Sequence, residues 1–252
     1  MSQYAVQDGS DQWQRARSSC DVTGSNFAAA CGLDDSRSRM KFWRVRRGLE
    51  REERPPAFVQ AYLDGGKEDE PFAATAFALS GLLAPAHLLC HDGQHTRRYA
   101  GFQWGTNNDR VELAPHKRLG YEPVALLEIK TVQREVHEGD EPVYALPDAL
   151  VKNAMQLLLQ LWCRRLSYGR LFYWHRATGC YRCFELSLLD SHAFADGPLR
   201  WALETLRSAE EPKRMDAKLK LERRKYVLDR FFIGASKKRK RESPDEDSAE
   251  AE

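Results

Sequence analysis

Glu128 and Lys130 interrupt ALLEIKTV, residues 125 to 132, an otherwise apolar run. Side chains alternate along a strand, so Leu126, Glu128, Lys130 and Val132 would share one face, with Leu127, Ile129 and Thr131 on the other. Burying a charge is costly unless it is paired or bound to a metal. Taken alone, the stretch reads as an edge strand whose Glu–Lys face looks at water. A second carboxylate changes the chemistry available. Asp109, in WGTNNDRVEL, is expected after a polar turn, at the start of the strand that precedes the Glu-x-Lys strand. Paired strands bring residues within ~5 Å of each other. Two neighbouring carboxylates repel unless something neutralises them, and a divalent cation does so through oxygen ligands. A lysine beside them can hold a water molecule or contact a phosphate oxygen. An aspartate on one strand and Glu-x-Lys on the next is the set that metal-assisted phosphodiester hydrolysis uses. Glu-x-Lys by itself arises often by chance, so the weight lies in the combination.

The elements that must hold these residues can be read from pattern. VELAPHKRLGYEPVALLEIK reads as a hairpin connected by APHKRLG, and HLLCHDG and RRYAGFQW as strands before it. Upstream, DQWQRARSS, SNFAAACG (with Gly32 as a stop signal) and SRSRMKFWRVRRG read as helical. GLEREERPP is a linker by charge and proline content, followed by two helical stretches, PPAFVQAYLDGG and EDEPFAATAFALSG. Pro147 to Leu166 returns to helix, LFYWHR and CYRCFEL form a hairpin around ATG, and a final helix runs from WALETLRSAE to DRFF. No internal repeat is present. The order of elements implies an α/β (α+β) domain over residues 11–233, with disordered segments at 1–10 and 234–252.

Composition agrees with a globular chain of one domain: 252 residues, 42% hydrophobic and 30% charged. No apolar run approaches the ~20 residues that cross a bilayer, and MSQYAVQDGSDQ lacks a signal-peptide core. Six cysteines without a secretion signal imply reduced thiols, an intracellular site and no membrane. CYRC (180–183) lacks a second Cys/His pair for a four-ligand zinc and reads as buried thiols. From Ser236 onward five basic and six acidic residues give a net of −1, leaving the body at +3. Within that tail Lys237, Lys238, Arg239, Lys240 and Arg241 form a basic cluster that reads as a nuclear-import signal, against the plainer alternative of a solubilising tail. Arginines between Arg44 and Arg54, and the cations of PKRMDAKLKLERRKYVLDR, form patches suited to phosphates.

Four segments together resemble the YqaJ-type viral recombinases, relatives of lambda exonuclease in the PD-(D/E)XK nuclease superfamily. DQWQRARSSCDVTGSNFAAACG is similar to that family's opening, with Gly24 in place of its alanine. GGKEDEPFA resembles the helix written G-x-x-x-E-P-x-A, which places Glu70 on the helical glutamate. Asp109, Glu128 and Lys130 match the D…E-x-K core, and KNAMQLLLQLW places Gln156 on the helical glutamine. The resemblance spans about residues 11–185 and implies a restriction-endonuclease-like core, a central mixed sheet flanked by helices. It also implies roles. Asp109, Glu128 and the Ile129 carbonyl would ligate Mg²⁺ (or Mn²⁺), and Glu70 would complete the site directly or through water. Lys130 would position or activate the attacking water, Gln156 would help orient it, and Arg17, Thr23 and Ser25 would receive a 5′-phosphate. Ser25 would also serve as the cap of its helix.

The chain departs from the family pattern at Asn107, Asn108, Asp109, Arg110, where the family writes Ser-Pro-Asp-Gly. Asp92 in CHDG keeps the Asp-Gly pair and stands as the alternative; Asp109 is preferred because its strand adjoins the Glu-x-Lys strand. The implied function is a Mg²⁺-dependent 5′→3′ exonuclease acting on linear duplex DNA. An endonuclease of the same fold, or a catalytically silent nucleic-acid-binding protein, are the alternatives. The resemblance further implies a ring-forming homo-oligomer and a recombination partner protein, for which the sequence carries no interface signature.

Overall fold

The computed structural model describes residues 15, 18–34, 37–132, 136–138, 141–143 and 147–238. In chain order the elements are β1 (Val22–Thr23), α1 (Gly24–Ala30), α2 (Arg39–Arg46), α3 (Ala57–Leu79), β2 (Leu88–Tyr99), β3 (Phe102–His116), β4 (Gly120–Val132), the short pair β5 (Val136–Glu138) and β6 (Glu141–Val143), and α4 (Pro147–Arg164). There follow β7 (Tyr168–His175), β8 (Tyr181–Ser187), α5 (Ser191–Phe194), a π-type turn (Ala195–Leu199), α6 (Arg200–Arg207), α7 (Ala217–Phe231) and β9 (Phe232–Lys238).

Seven strands form one mixed sheet in which β3, β4, β7, β8 and β9 are successive neighbours. β2 lines one edge of β3, while β1 and β4 share its other edge at different ends. The β4–β7 pair is parallel, which requires a crossover, and α4 supplies it. Apolar residues on both faces of β4 follow from this. Leu126 packs with Val151, Met155 and Leu158 of α4, whereas Leu127 and Ile129 pack with Ala73, Ala74 and Phe77 of α3. The result is three layers: α3, the sheet, and the remaining long helices. β4 is therefore a central strand, which overturns the edge-strand reading of ALLEIKTV. Glu128 is 1% exposed.

Four further expectations change. The two helical stretches around GGKEDEP are one helix, α3, because burial of Ala73, Ala74 and Phe77 overrides the local cost of Gly65, Gly66 and Pro71. Only the second half of α3 is anchored: no residue from Ala57 to Glu68 is buried. Asp109 does not open a strand after a turn; GTNND is strand, and Asp109 lies in mid-β3. The final helix is broken between Arg207 and Ala217, where Pro212 intervenes and Asp216 caps α7 by accepting from the Leu219 N–H at 2.8 Å. Last, β9 pairs with β8 through Lys238, beyond the boundary expected at 234. Lys237 and Lys238 thus end a strand, and Arg239, Lys240 and Arg241 lie outside the described residues, as do residues 1–10. Cys180 and Cys183 are free and buried, one in each core.

Candidate active site

The structure brings Glu70, Asp109, Glu128, Lys130 and Gln156 to one cleft of about 600 Å³ between α3, β3, β4 and α4. β3 and β4 are in register through Arg110–Leu127. Just past that pair the Asp109 carboxylate accepts the Ile129 N–H at 2.8 Å, so it sits against the Glu-x-Lys backbone. Glu128 points towards α4. Its Oε1 accepts from Lys130 Nζ and Gln156 Nε2, both at 2.5 Å, and its Oε2 accepts from Gln160 Nε2 at 2.6 Å. Glu70 comes from the other helix layer, in the middle of α3, and accepts from Arg110 Nη1 at 2.6 Å. It is not the first-turn glutamate of a separate helix.

The charges here are strongly perturbed. Burial holds the Asp109 carboxyl well above its ordinary range, and the nearby Glu128 and Glu70 add to the shift; Lys130 and the Ile129 N–H oppose it. Burial disfavours the Lys130 ammonium, but the attraction of Glu128 and Asp109 outweighs it, so the pKa is raised. Lys130 is therefore a fixed cation and hydrogen-bond donor at neutral pH, suited to holding a water or a phosphate oxygen rather than to taking a proton. Beside it on β7, Tyr173 accepts from Asn153 Nδ2 at 2.8 Å and is pushed up to about 12 by burial, so its phenol stays neutral. Asp109, Glu128, Glu70 and the Ile129 carbonyl are hard oxygen donors of the kind Mg²⁺ or Mn²⁺ takes. Among the described residues no three His, Cys, Asp or Glu groups form a tight ligand cluster.

Asp92 is placed elsewhere. Its carboxylate is 5% exposed and accepts from Asn108 Nδ2 at 2.7 Å, with His95 Nε2 at 3.0 Å and Arg164 Nε at 3.3 Å. That is a structural knot between β2, β3 and α4, away from the cleft. Thr23 and Ser25 line a second cavity of about 360 Å³ at the start of α1, with Arg37 and Arg46 on its wall. Those two arginines are already paired, with Glu52 and Asp21 respectively. A small pocket bounded by Thr23, Gly24, Ser25, Asn107 and Gln156 lies between this cavity and the cleft. The helix cap is Thr23 and not Ser25: the Thr23 N–H donates to Asn26 Oδ1 at 2.8 Å, and Ser25 stands inside α1. Arg17 lies outside the described residues.

Two residues escaped the sequence reading. Gln160 is 1% exposed and ties Glu128 to the Asn107 carbonyl, at 2.6 and 2.9 Å. Its signal was present: it stands four residues after Gln156, on the same helical face. Arg110 stands out in the sequence only as a departure from a motif, with nothing local to say that it reaches α3.

No protein-family model matches the sequence, and no curated protein matches it either. Solved structures do match in fold. An alkaline exonuclease from Laribacter hongkongensis, LHK-Exo, superposes with a TM-score of 0.50 at 15% identity over 87% of this chain and 97% of that one. The same exonuclease in complex with dAMP gives a TM-score of 0.51 at 17% identity, with the same coverage. The chain has the fold of that exonuclease, a mixed sheet flanked by helices.

Proposed function

We propose that this protein is a Mg²⁺-dependent deoxyribonuclease that degrades linear duplex DNA from a 5′ end, in recombination or DNA processing. The observation that carries the reading is the convergence of Asp109, Glu128 and Lys130 from adjacent strands on one cleft, with Gln156 and Glu70 brought in from helices on opposite faces of the sheet. The likeness in fold to an alkaline exonuclease, solved also with a deoxynucleotide, supports it.

The donor set fits a divalent cation. Three carboxylates meet two partly buried cations, Lys130 and Arg110, with Lys67 exposed on the rim, and the repulsion of Glu128 and Glu70 adds to the burial that holds the Asp109 carboxyl above its ordinary range. Asp109, Glu128 and the Ile129 carbonyl would hold the ion, with Glu70 reaching it through water. Such an ion, when bound, supplies a Lewis acid to the phosphate and stabilises the charge that develops there. The protein's own residues do the rest. The Lys130 ammonium holds the attacking water or a phosphate oxygen at a fixed point, and Gln156 fixes Lys130 through its Oε1 at 3.4 Å. Gln160 and Gln156 clamp both oxygens of Glu128, so that the carboxylate does not swing as charge changes beside it. On the rim Tyr62 and Leu63 line the cleft, an apolar border on which bases can stack.

The 5′ polarity rests on the cavity beside Thr23 and Ser25, which adjoins the cleft across Gln156. A terminal phosphate there would accept from both hydroxyls and compete with Asp21 and Glu52 for Arg46 and Arg37. The test compares linear duplex carrying a 5′-phosphate, the same duplex with a 5′-hydroxyl, and a closed circle, each with Mg²⁺. The phosphorylated end should be digested roughly ten- to a hundredfold faster than the hydroxyl one, and the circle should persist. Equal rates on both ends with nicking of the circle would favour an endonuclease, and binding without digestion a silent DNA-binding protein. The cluster Lys237, Lys238, Arg239, Lys240 and Arg241 is read as a nuclear-import signal. Its replacement by alanines should move a fluorescently tagged protein out of the nucleus, and unchanged accumulation counts against it.

A further inference from the structure

Arg110 directly follows Asp109, and successive strand residues face opposite sides of a sheet. Its guanidinium therefore leaves β3 towards α3, where Nη1 donates to Glu70 Oε1 at 2.6 Å and to the Asp109 carbonyl at 2.7 Å. The two side chains are 15% and 27% exposed, so the pair is only partly screened by water. An arginine is charged at any relevant pH and is weakly hydrated, which suits it to a fixed place among carboxylates. Glu70 also lines the cleft. With Lys67 exposed on the rim, Asp109, Glu128 and Glu70 are set against Lys130 and Arg110 among the partly or fully buried groups, and there one negative charge is in excess. A single divalent cation reverses that excess, and the charge of one phosphodiester then cancels it. Without Arg110 the excess would double, and Glu70 would be free to join Asp109 around a second ion; two-ion sites of this kind serve many phosphodiester-cleaving enzymes.

We propose that the Arg110 guanidinium fills the place of a second divalent cation, so that the cleft takes one ion and Glu70 serves as the counter-ion of Arg110. This rests on the reading of Asp109 and Glu128 as a cation site. The structure supports it in a specific way: the guanidinium bridges a carboxylate of α3 and the backbone of the strand that carries Asp109, the two groups a second ion would join.

The test is a titration of the full chain with Mn²⁺ in the absence of DNA, reading bound ions per chain by calorimetry and by the loss of the free-ion paramagnetic resonance signal. The wild-type protein should take one ion. Arg110→Gln, which keeps a hydrogen bond to Glu70 and removes the charge, should take two, and Arg110→Lys should take one. Adding Glu70→Gln to Arg110→Gln should restore one. Arg110→Met is the second charge-removing variant, with circular dichroism to confirm that each is folded. Two ions in the wild-type protein, or one ion in a folded Arg110→Gln or Arg110→Met variant, overturns the inference while leaving the cation site standing. No ion in the wild-type protein removes the site itself, and this inference with it.

Discussion

The Glu128 carboxylate accepts from three side-chain donors, an ammonium and two amides. Truncation to alanine would strand all three, and breaking a buried pair in this way costs about 3–5 kcal/mol. Glu128→Gln removes the charge with less disruption. It should abolish Mg²⁺-dependent cleavage in a gel assay while the protein remains folded by circular dichroism. Lys130→Met should do the same, and digestion at the wild-type rate would take Lys130 out of the mechanism. The two aspartates separate cleanly. Asp109→Asn should lower activity by orders of magnitude, whereas Asp92→Asn should leave the cleft working and weaken the fold, by about 1.5–3 kcal/mol at neutral pH for a charge-assisted network. Burial alone would raise the Asp92 pKa; the hydrogen bonds from His95 and Asn108, and the charges of His95 and Arg164, lower it overall. A carboxyl lowered in the folded state adds stability that is full above the unfolded pKa of ~3.9 and is lost as pH falls through the folded value. The difference between wild type and Asp92→Asn in chemical denaturation should therefore be constant near neutrality and shrink below about pH 4. A difference that grew with acid would assign Asp92 another role. At this scale the sequence was legible where period-two alternation put Glu128 and Lys130 on one face. Arg110 was not legible, because its partner is forty residues away on another layer.

α1 and α4 approach each other closely where Gly24 meets Gln156. A Cβ built on Gly24 would lie 3.3 Å from Gln156 Cγ and 3.7 Å from Thr106 Cγ2. Gly24→Ala should thus push Gln156 by a few tenths of an ångström. The helix itself gains up to ~1 kcal/mol from the substitution, so thermal stability should hardly fall. Cleavage should slow by roughly tenfold, since small misplacements near reacting groups are costly; unchanged turnover would show that Gln156 is not held to that tolerance. Element boundaries were readable where chain signals are local: Gly32 after α1, Pro147 opening α4, the ATG hairpin between β7 and β8. They failed where tertiary burial outweighed local preference. Gly65, Gly66 and Pro71 suggested a break that the packing of Phe77 on Phe172, ring centroids 5.3 Å apart, does not allow, and the polar GTNND was drawn into β3 by its ladders to β2 and, at Gly105, to β1.

For the whole molecule, the succession of helices and hairpins gave the layers but not the strand order, because nothing local in ALLEIKTV or YGRLFYWH announces that they run parallel. Once they do, α4 must cross one face of the sheet, and Gln156 and Gln160 come to lie over Glu128. Net charge is a poor guide to such a molecule. Its binding should still be salt-dependent, with duplex affinity falling more than tenfold between 50 and 200 mM salt if several phosphates are contacted, and a flat response would argue against a backbone-tracking surface. α3 carries one more consequence. Its last part is bolted to the sheet, yet its first twelve residues have no buried side chain and stand beside the cleft as a cantilever ~18 Å long. A free helix of that length is marginal in water. The amides of residues 57–68 should exchange with deuterated solvent far faster than those of residues 72–78, and slow only when duplex DNA fills the cleft, so that this flank of the site is completed by the substrate it receives.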